Sequence, residues 1–249
     1  MTLKIMENKN LDLKEKSKDD LKLKLETSRF HLSDETLSFL KQARLDLQEL
    51  QKKAPYIAGL SFFGSRMVAN EKNKSDLDCI ISYDKLKYKH DVFPEIVISP
   101  EGEISPEHQK VYLDYINSFK KLIKEINSKS NIKVPYDIAG IIDISTLGIK
   151  QKIDNFSLYL ESKNRSFRHV WPIVAPFFLS IGDGVYKARK ELVSELSKRE
   201  DGQKLWEEII KHLSIIERDS KTDKRDPLPE YKAYPQKLKD AESFFKLKD

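Results

Sequence analysis

The sequence predicts an α/β core followed by an α-helical segment. Three observations carry this. Short apolar runs at 57–63, 77–83 and 136–146 read as strands. Amphipathic stretches with helix-start signals, at 33–53 and from 105 onward, alternate with them. Beyond about residue 150 the strand signals fade and helical periodicity dominates.

The elements follow in order. Residues 1–28 are rich in Lys, Asp, Glu and Leu and lack aromatics; LKLKLE at 21–26 alternates, so an edge strand, a mobile arm and a charged helix all stay open there. At 33–53, Ser33 can cap, acids follow in the first turn, and Leu37, Leu40, Leu47 and Leu50 approximate one helical face. IAGLSFF at 57–63 is a strand running into a glycine turn, SRMVA at 65–69 opens a short helix, and LDCIISY at 77–83 is a second strand. Residues 83–105 form an excursion with room for a hairpin. Ser105 then caps a helix with Pro106 in its first position, and Tyr112, Ile116, Phe119, Ile123 and Ile126 recur at helical spacing. NIKV at 131–134 and YDIAGIIDIST at 136–146 form a further strand region broken by Pro135. In the second half, Gly182-Asp183-Gly184 reads as a tight turn between helices. Residues 187–200 and 202–218 are amphipathic helices, 219–230 a polar linker, and 235–248 a last short helix. The expected organisation is a charged arm at 1–28, a catalytic domain at 29–150 and a helical domain at 151–249.

The chain has 249 residues, enough for a substantial core, and a net charge of +5 that permits an anionic partner without requiring one. Its single cysteine, Cys79, rules out a disulfide framework and a multi-cysteine zinc site; a reducing, cytoplasmic setting is the expectation. The apolar stretch at 170–181 is too short to span a bilayer and contains Pro172 and Pro176, so no membrane partner is expected. There is no GxxxxGK[ST] phosphate loop and no GxSxG nucleophile elbow, and the five histidines lack metal-ligand spacing.

One constellation carries chemistry: FFGSRMVANEKNKSDLDCII, residues 62–81. Side chains alternate along a strand, so Asp76 and Asp78 share one face and Cys79 turns to the core. Two carboxylates so placed suit Mg²⁺, which takes oxygen ligands and shares its remaining positions with water and phosphates. Gly64 allows close backbone approach, Ser65 opens a turn with free N–H groups, and Arg66 offers a charged fork for phosphate. The bland reading is that KNKSD is a solvated turn, because Asn, Lys, Ser and Asp all favour turns. That accounts for the turn but not for paired aspartates at the mouth of an apolar strand behind Gly-Ser.

Gly64-Ser65-Arg66 followed by Lys74-Ser75-Asp76-Leu77-Asp78, flanked by strands, resembles the nucleotidyltransferase superfamily, over roughly residues 55–147. The resemblance implies an α+β fold: a nucleotidyltransferase-like mixed sheet with flanking helices, followed by an α-helical C-terminal segment. It implies transfer of a nucleoside monophosphate from an NTP such as ATP to an acceptor hydroxyl, with two Mg²⁺ ions and release of pyrophosphate. Asp76 and Asp78 would bind the metals, and Gly64, Ser65, Arg66 and Ser75 the nucleotide. The family's third carboxylate falls on Asp137, directly before an apolar strand, with Asp143 of the same strand parity in reserve. Many members have glycine where this chain has Ala69. The helical segment of such proteins often supplies basic residues to the triphosphate. Lys187 and Lys190 share a helix face and are the candidates, a solvated face being the other reading. The acceptor class stays open between a small molecule, an RNA 3′ end and a protein, as do the base and the oligomeric state. A nucleotide- or RNA-binding module without turnover is the alternative.

Overall fold

The computed structural model describes residues 32–68, 76–87, 106–161 and 171–215, together with Leu23 and Thr27. Helix α1 (Asp34–Lys53) leads into strand β1 (Ile57–Phe62), a single 3-10 turn (Ser65–Val68) and strand β2 (Leu77–Tyr83). Then come α2 (Pro106–Lys129), β3 (Tyr136–Asp143), α3 (Thr146–Glu161), the one-turn α4 (Trp171–Val174), β4 (Leu179–Ile181), α5 (Asp183–Ser197) and α6 (Gly202–Ile215). The sheet order is β3-β2-β1-β4. β1 runs antiparallel to β2 and β4, while β2 and β3 are parallel. The fold is therefore mixed α+β. The parallel pair needs a long crossover, and α2 lies within it.

Local chemistry explains the boundaries. The Thr36 N–H donates to the Ser33 side chain at 3.1 Å, acids fill the first turn of α1 and lysines its last, so both ends of the helix are satisfied. Leu40, Ala43, Leu47 and Leu50 bury one face of α1, which packs on β1 and α2. All six residues of β1 are buried, as expected of a strand covered on both faces, which is why it reads as an unbroken apolar run. At 131–134 no strand forms. β3 begins only after Pro135, whose carbonyl accepts the Leu77 N–H at 2.7 Å and so seats the start of β2.

Two features depart from the pattern in the sequence. β4 lies in the apolar stretch before Gly182, and its three residues are too few to show a period. Gly182 therefore joins a strand to a helix rather than two helices. Its φ is +107°, and a Cβ there would lie 2.5 Å from the Ala58 carbonyl oxygen, so the connection packs directly on β1. Residue 150, the expected domain boundary, falls inside α3, and one buried cluster runs from Leu40 through Phe62 and Phe156 to Trp206. The sheet thus draws a strand from each side of that boundary.

Most of the 1–28 arm, the 88–105 excursion with its Ser105 cap, Ala69, Ser75, the 219–230 linker and the 235–248 helix lie outside the described residues. So do the side chains of all five histidines. No helix among the described residues is long and apolar enough to cross a membrane.

Candidate active site

The site is built where β1 ends and β2 and β3 begin. The Phe63 N–H donates to the Asp78 carbonyl at 3.2 Å, carrying the β1–β2 pairing one step past Phe62. The chain then turns at Gly64, φ +83°, and the Met67 N–H bonds back to the Gly64 carbonyl at 3.0 Å. Gly64 sits against the Asp78 carboxylate: a Cβ on it would lie 2.1 Å from Asp78 Oδ2. Glycine is demanded twice here, by the backbone angle and by the space the carboxylate takes.

In the parallel pairing of β2 with β3, Asp78 stands directly opposite Asp137, with Leu77 opposite Tyr136 and Cys79 opposite Ile138. Two aspartates are thereby set side by side on adjacent strands at one end of the sheet. Asp78 is half-buried and Asp137 exposed. The Lys120 ammonium of α2 lies 3.8 Å from Asp137 Oδ1. Cys79, fully buried beneath them, registers both charges. Its thiol is pushed well above the usual range, first by burial, then by Asp137 and Asp78, with Lys120 opposing. The expectation that Cys79 faces the core agrees with this position.

Asp76 is exposed and stands one residue ahead of β2. Among the described residues, no three of His, Cys, Asp and Glu gather into a ready-made ligand group. The structure therefore brings Asp78 and Asp137 together but leaves Asp76 at the edge.

Asp143 is not interchangeable with Asp137. The register between β2 and β3 shifts after Cys79, where Ala139 is an extra residue in β3, and Asp143 ends opposite Tyr83. That shift breaks the parity the sequence implies, turning Asp143 to the other face about 17 Å along the strand. Its carboxylate accepts from the Ser145 N–H at 2.9 Å, the Ser145 hydroxyl at 3.0 Å and the Lys85 N–H at 3.2 Å, which anchors the chain entering α3.

Arg66 also departs from the expected phosphate role. Arg66 is 2% exposed, and its guanidinium pairs with Glu35 Oε2 at 2.9 Å and lies 4.9 Å over the Phe39 ring. All these partners are on α1, so Arg66 fastens the Gly-Ser turn to that helix, its charge answered by a carboxylate. The turn is a single 3-10 turn, too short for the dipole of a helix N-terminus. Ser65 lies in it, directly after Gly64. Lys187 and Lys190 are on the exposed stripe of α5, opposite buried Val185, Ala188, Leu192 and Leu196, and no described ion pair joins them to the carboxylates. Tyr186 donates its hydroxyl to the Ser180 carbonyl at 2.6 Å, and Arg189 reaches the Pro176 carbonyl at 2.8 Å, so Tyr186 braces β4 and Arg189 the 3-10 turn (Ala175–Phe177) ahead of it.

Two residues near the site were not singled out from the sequence. Lys120 follows Phe119 and lies one turn after Ile116, at the border of the buried stripe of α2; that position was the signal available. Asp46, buried on α1, accepts from Gln42 at 2.9 Å, Ser130 at 2.6 Å and the Tyr136 hydroxyl at 2.9 Å. It ties α1 to the residue before Asp137, and no local pattern marks it.

No family model, curated protein or solved structure matches the chain.

Proposed function

We propose that the chain is a Mg²⁺-dependent nucleotidyltransferase with a nucleotidyltransferase-like sheet, moving a nucleoside monophosphate from an NTP to an acceptor hydroxyl with release of pyrophosphate. The observation that carries this reading is the in-register pairing of Asp78 with Asp137 beside a glycine turn packed on the Asp78 carboxylate. A solvated turn requires neither the positive φ nor the close approach.

The residues fit the ion. Carboxylate oxygens are the donors Mg²⁺ prefers, and Asp137 faces solvent, where a nucleotide can share the coordination. Asp78 and Asp137 would hold it, with Asp76 joining from the edge of β2. When bound, the ions lower the pKa of the acceptor hydroxyl and neutralise phosphate charge. The protein's own contribution is positioning. Gly64, lacking a Cβ, leaves room for the Asp78 carboxylate, and Ser65 follows it in the turn that would hold the β- and γ-phosphates. Arg66 contributes indirectly, by fixing the turn against α1. The acceptor oxygen bonds to the α-phosphorus as the bond to pyrophosphate breaks. Lys187 and Lys190 have no contact among the described residues that supports a nucleotide role, and Ser75 lies outside those residues.

A second reading has one observation in its favour. Asp76 stands apart from the other two aspartates, as it would in a nucleotide- or RNA-binding module without turnover.

A transfer assay separates the two. Each α-³²P-labelled NTP is presented with Mg²⁺ to fractionated RNA, protein and small-molecule pools. Wild type should label one pool, and Asp78→Asn or Asp137→Asn should lower the rate at least about a hundredfold while remaining folded. Label transfer undiminished in both variants would sink the assignment.

A further inference from the structure

We propose that Lys120 is the resident counter-ion of the Asp78–Asp137 pair. It is a positioning residue that holds the Asp137 carboxylate while no divalent cation is bound and is displaced from it when one binds. The inference rests on the reading of these aspartates as cation ligands.

The argument starts from the crossover. The buried face of α2, Ile116, Phe119, Ile123 and Ile126, fixes the rotation of the helix over the sheet. Lys120, one turn beyond Ile116, therefore emerges at the border of that face, and its ammonium reaches to 3.8 Å from Asp137 Oδ1. Asp78 and Asp137 are directly opposed on adjacent strands, where like charges repel. A monovalent cation on a long side chain relieves that repulsion without closing the site. Both partners stay accessible, Lys120 at 46% and Asp137 at 52% side-chain exposure, so the pair is held loosely enough to exchange. Lys120 makes the one ion pair of Asp137 among the described residues. Its charge opposes that of the incoming ion, so it weakens cation binding in the absence of nucleotide.

A lysine whose charge solvent screens fully from Asp137 would leave cation affinity untouched, and this decides the test. Free Mn²⁺ is titrated by electron paramagnetic resonance into the full chain without nucleotide, for wild type, Lys120→Met, Lys120→Gln, Lys120→Arg and Asp78→Asn. Circular dichroism checks that each is folded, and the glutamine variant serves if the methionine variant is not. The neutral variants should bind about three- to tenfold tighter than wild type, the size expected for removing one partly screened charge beside a divalent ion. Lys120→Arg should match wild type, and Asp78→Asn should lose the binding. Equal or weaker binding in the neutral variants overturns the proposal while Asp78-dependent binding in wild type leaves the cation site standing. Absence of any Asp78-dependent binding, in wild type and neutral variants alike, overturns both together.

Discussion

At the scale of single residues, Gly64 and Arg66 show how a turn can be committed to a site. Gly64 has a backbone angle that L side chains resist, and its missing Cβ is the space the Asp78 carboxylate occupies. Gly64→Ala should cost about 1–2 kcal/mol for the left-handed backbone. The new methyl would meet the end of a side chain rather than backbone, so Asp78 should give way and the fold persist. Mn²⁺ affinity should then fall at least tenfold with only a modest loss in urea stability; unchanged affinity would mean that Gly64 serves the turn alone. Arg66 carries the opposite lesson. Read in sequence, Gly-Ser-Arg offers its cation to a phosphate, but Glu35, 31 residues upstream, takes it up. Nothing local to 62–81 announces that partner, because the pairing exists only once α1 has packed on the turn.

At the scale of elements, the strand pair β2–β3 does what no single segment can. Asp78 is legible from strand parity, and Asp137 only through the resemblance, which implies a carboxylate ahead of a later apolar run. Their adjacency depends on inter-strand register, and the extra residue Ala139 then separates the roles of Asp137 and Asp143. A bulge leaves no compositional mark, so the sequence ranks Asp137 ahead of Asp143 without showing that the two face different ways. β4 was hidden for a related reason: its three residues are held by their partner strand and by the close approach at Gly182, not by their own periodicity. Asp46 fastens these elements together, as the shared acceptor for Gln42, Ser130 and Tyr136. Asp46→Ala would leave the largely buried Tyr136 hydroxyl without this acceptor. A loss of about 2–4 kcal/mol in urea denaturation is expected, and a loss below about 0.5 kcal/mol would show the network to be incidental.

At the scale of the whole molecule, one buried cluster covers both sides of the expected boundary, so the helical second half acts as cover for the sheet. That cover has a cost visible in pH. Burial drives the Lys152 ammonium of α3 down from 10.5 to about 8, with Asp143 partly restoring it. Below pH 8 both the folded and unfolded chains carry the proton, and the fold bears the full penalty. Between about 8 and 10.5 the unfolded chain holds more protons, so this group makes stability rise with pH. The wild-type minus Lys152→Met difference in unfolding free energy should climb across that window and be flat below it; a flat difference throughout would place the ammonium in solvent. The central claim concerns the other end of the sheet, that Asp78 and Asp137 form one cation site for a nucleotide. The most direct measurement is a crystal grown with Mn²⁺ and an α,β-imido NTP, read by anomalous scattering. The account predicts a peak within about 2.5 Å of oxygens from both Asp78 and Asp137, with the triphosphate beside Gly64. A nucleotide bound elsewhere, with no metal between the two aspartates, would contradict it.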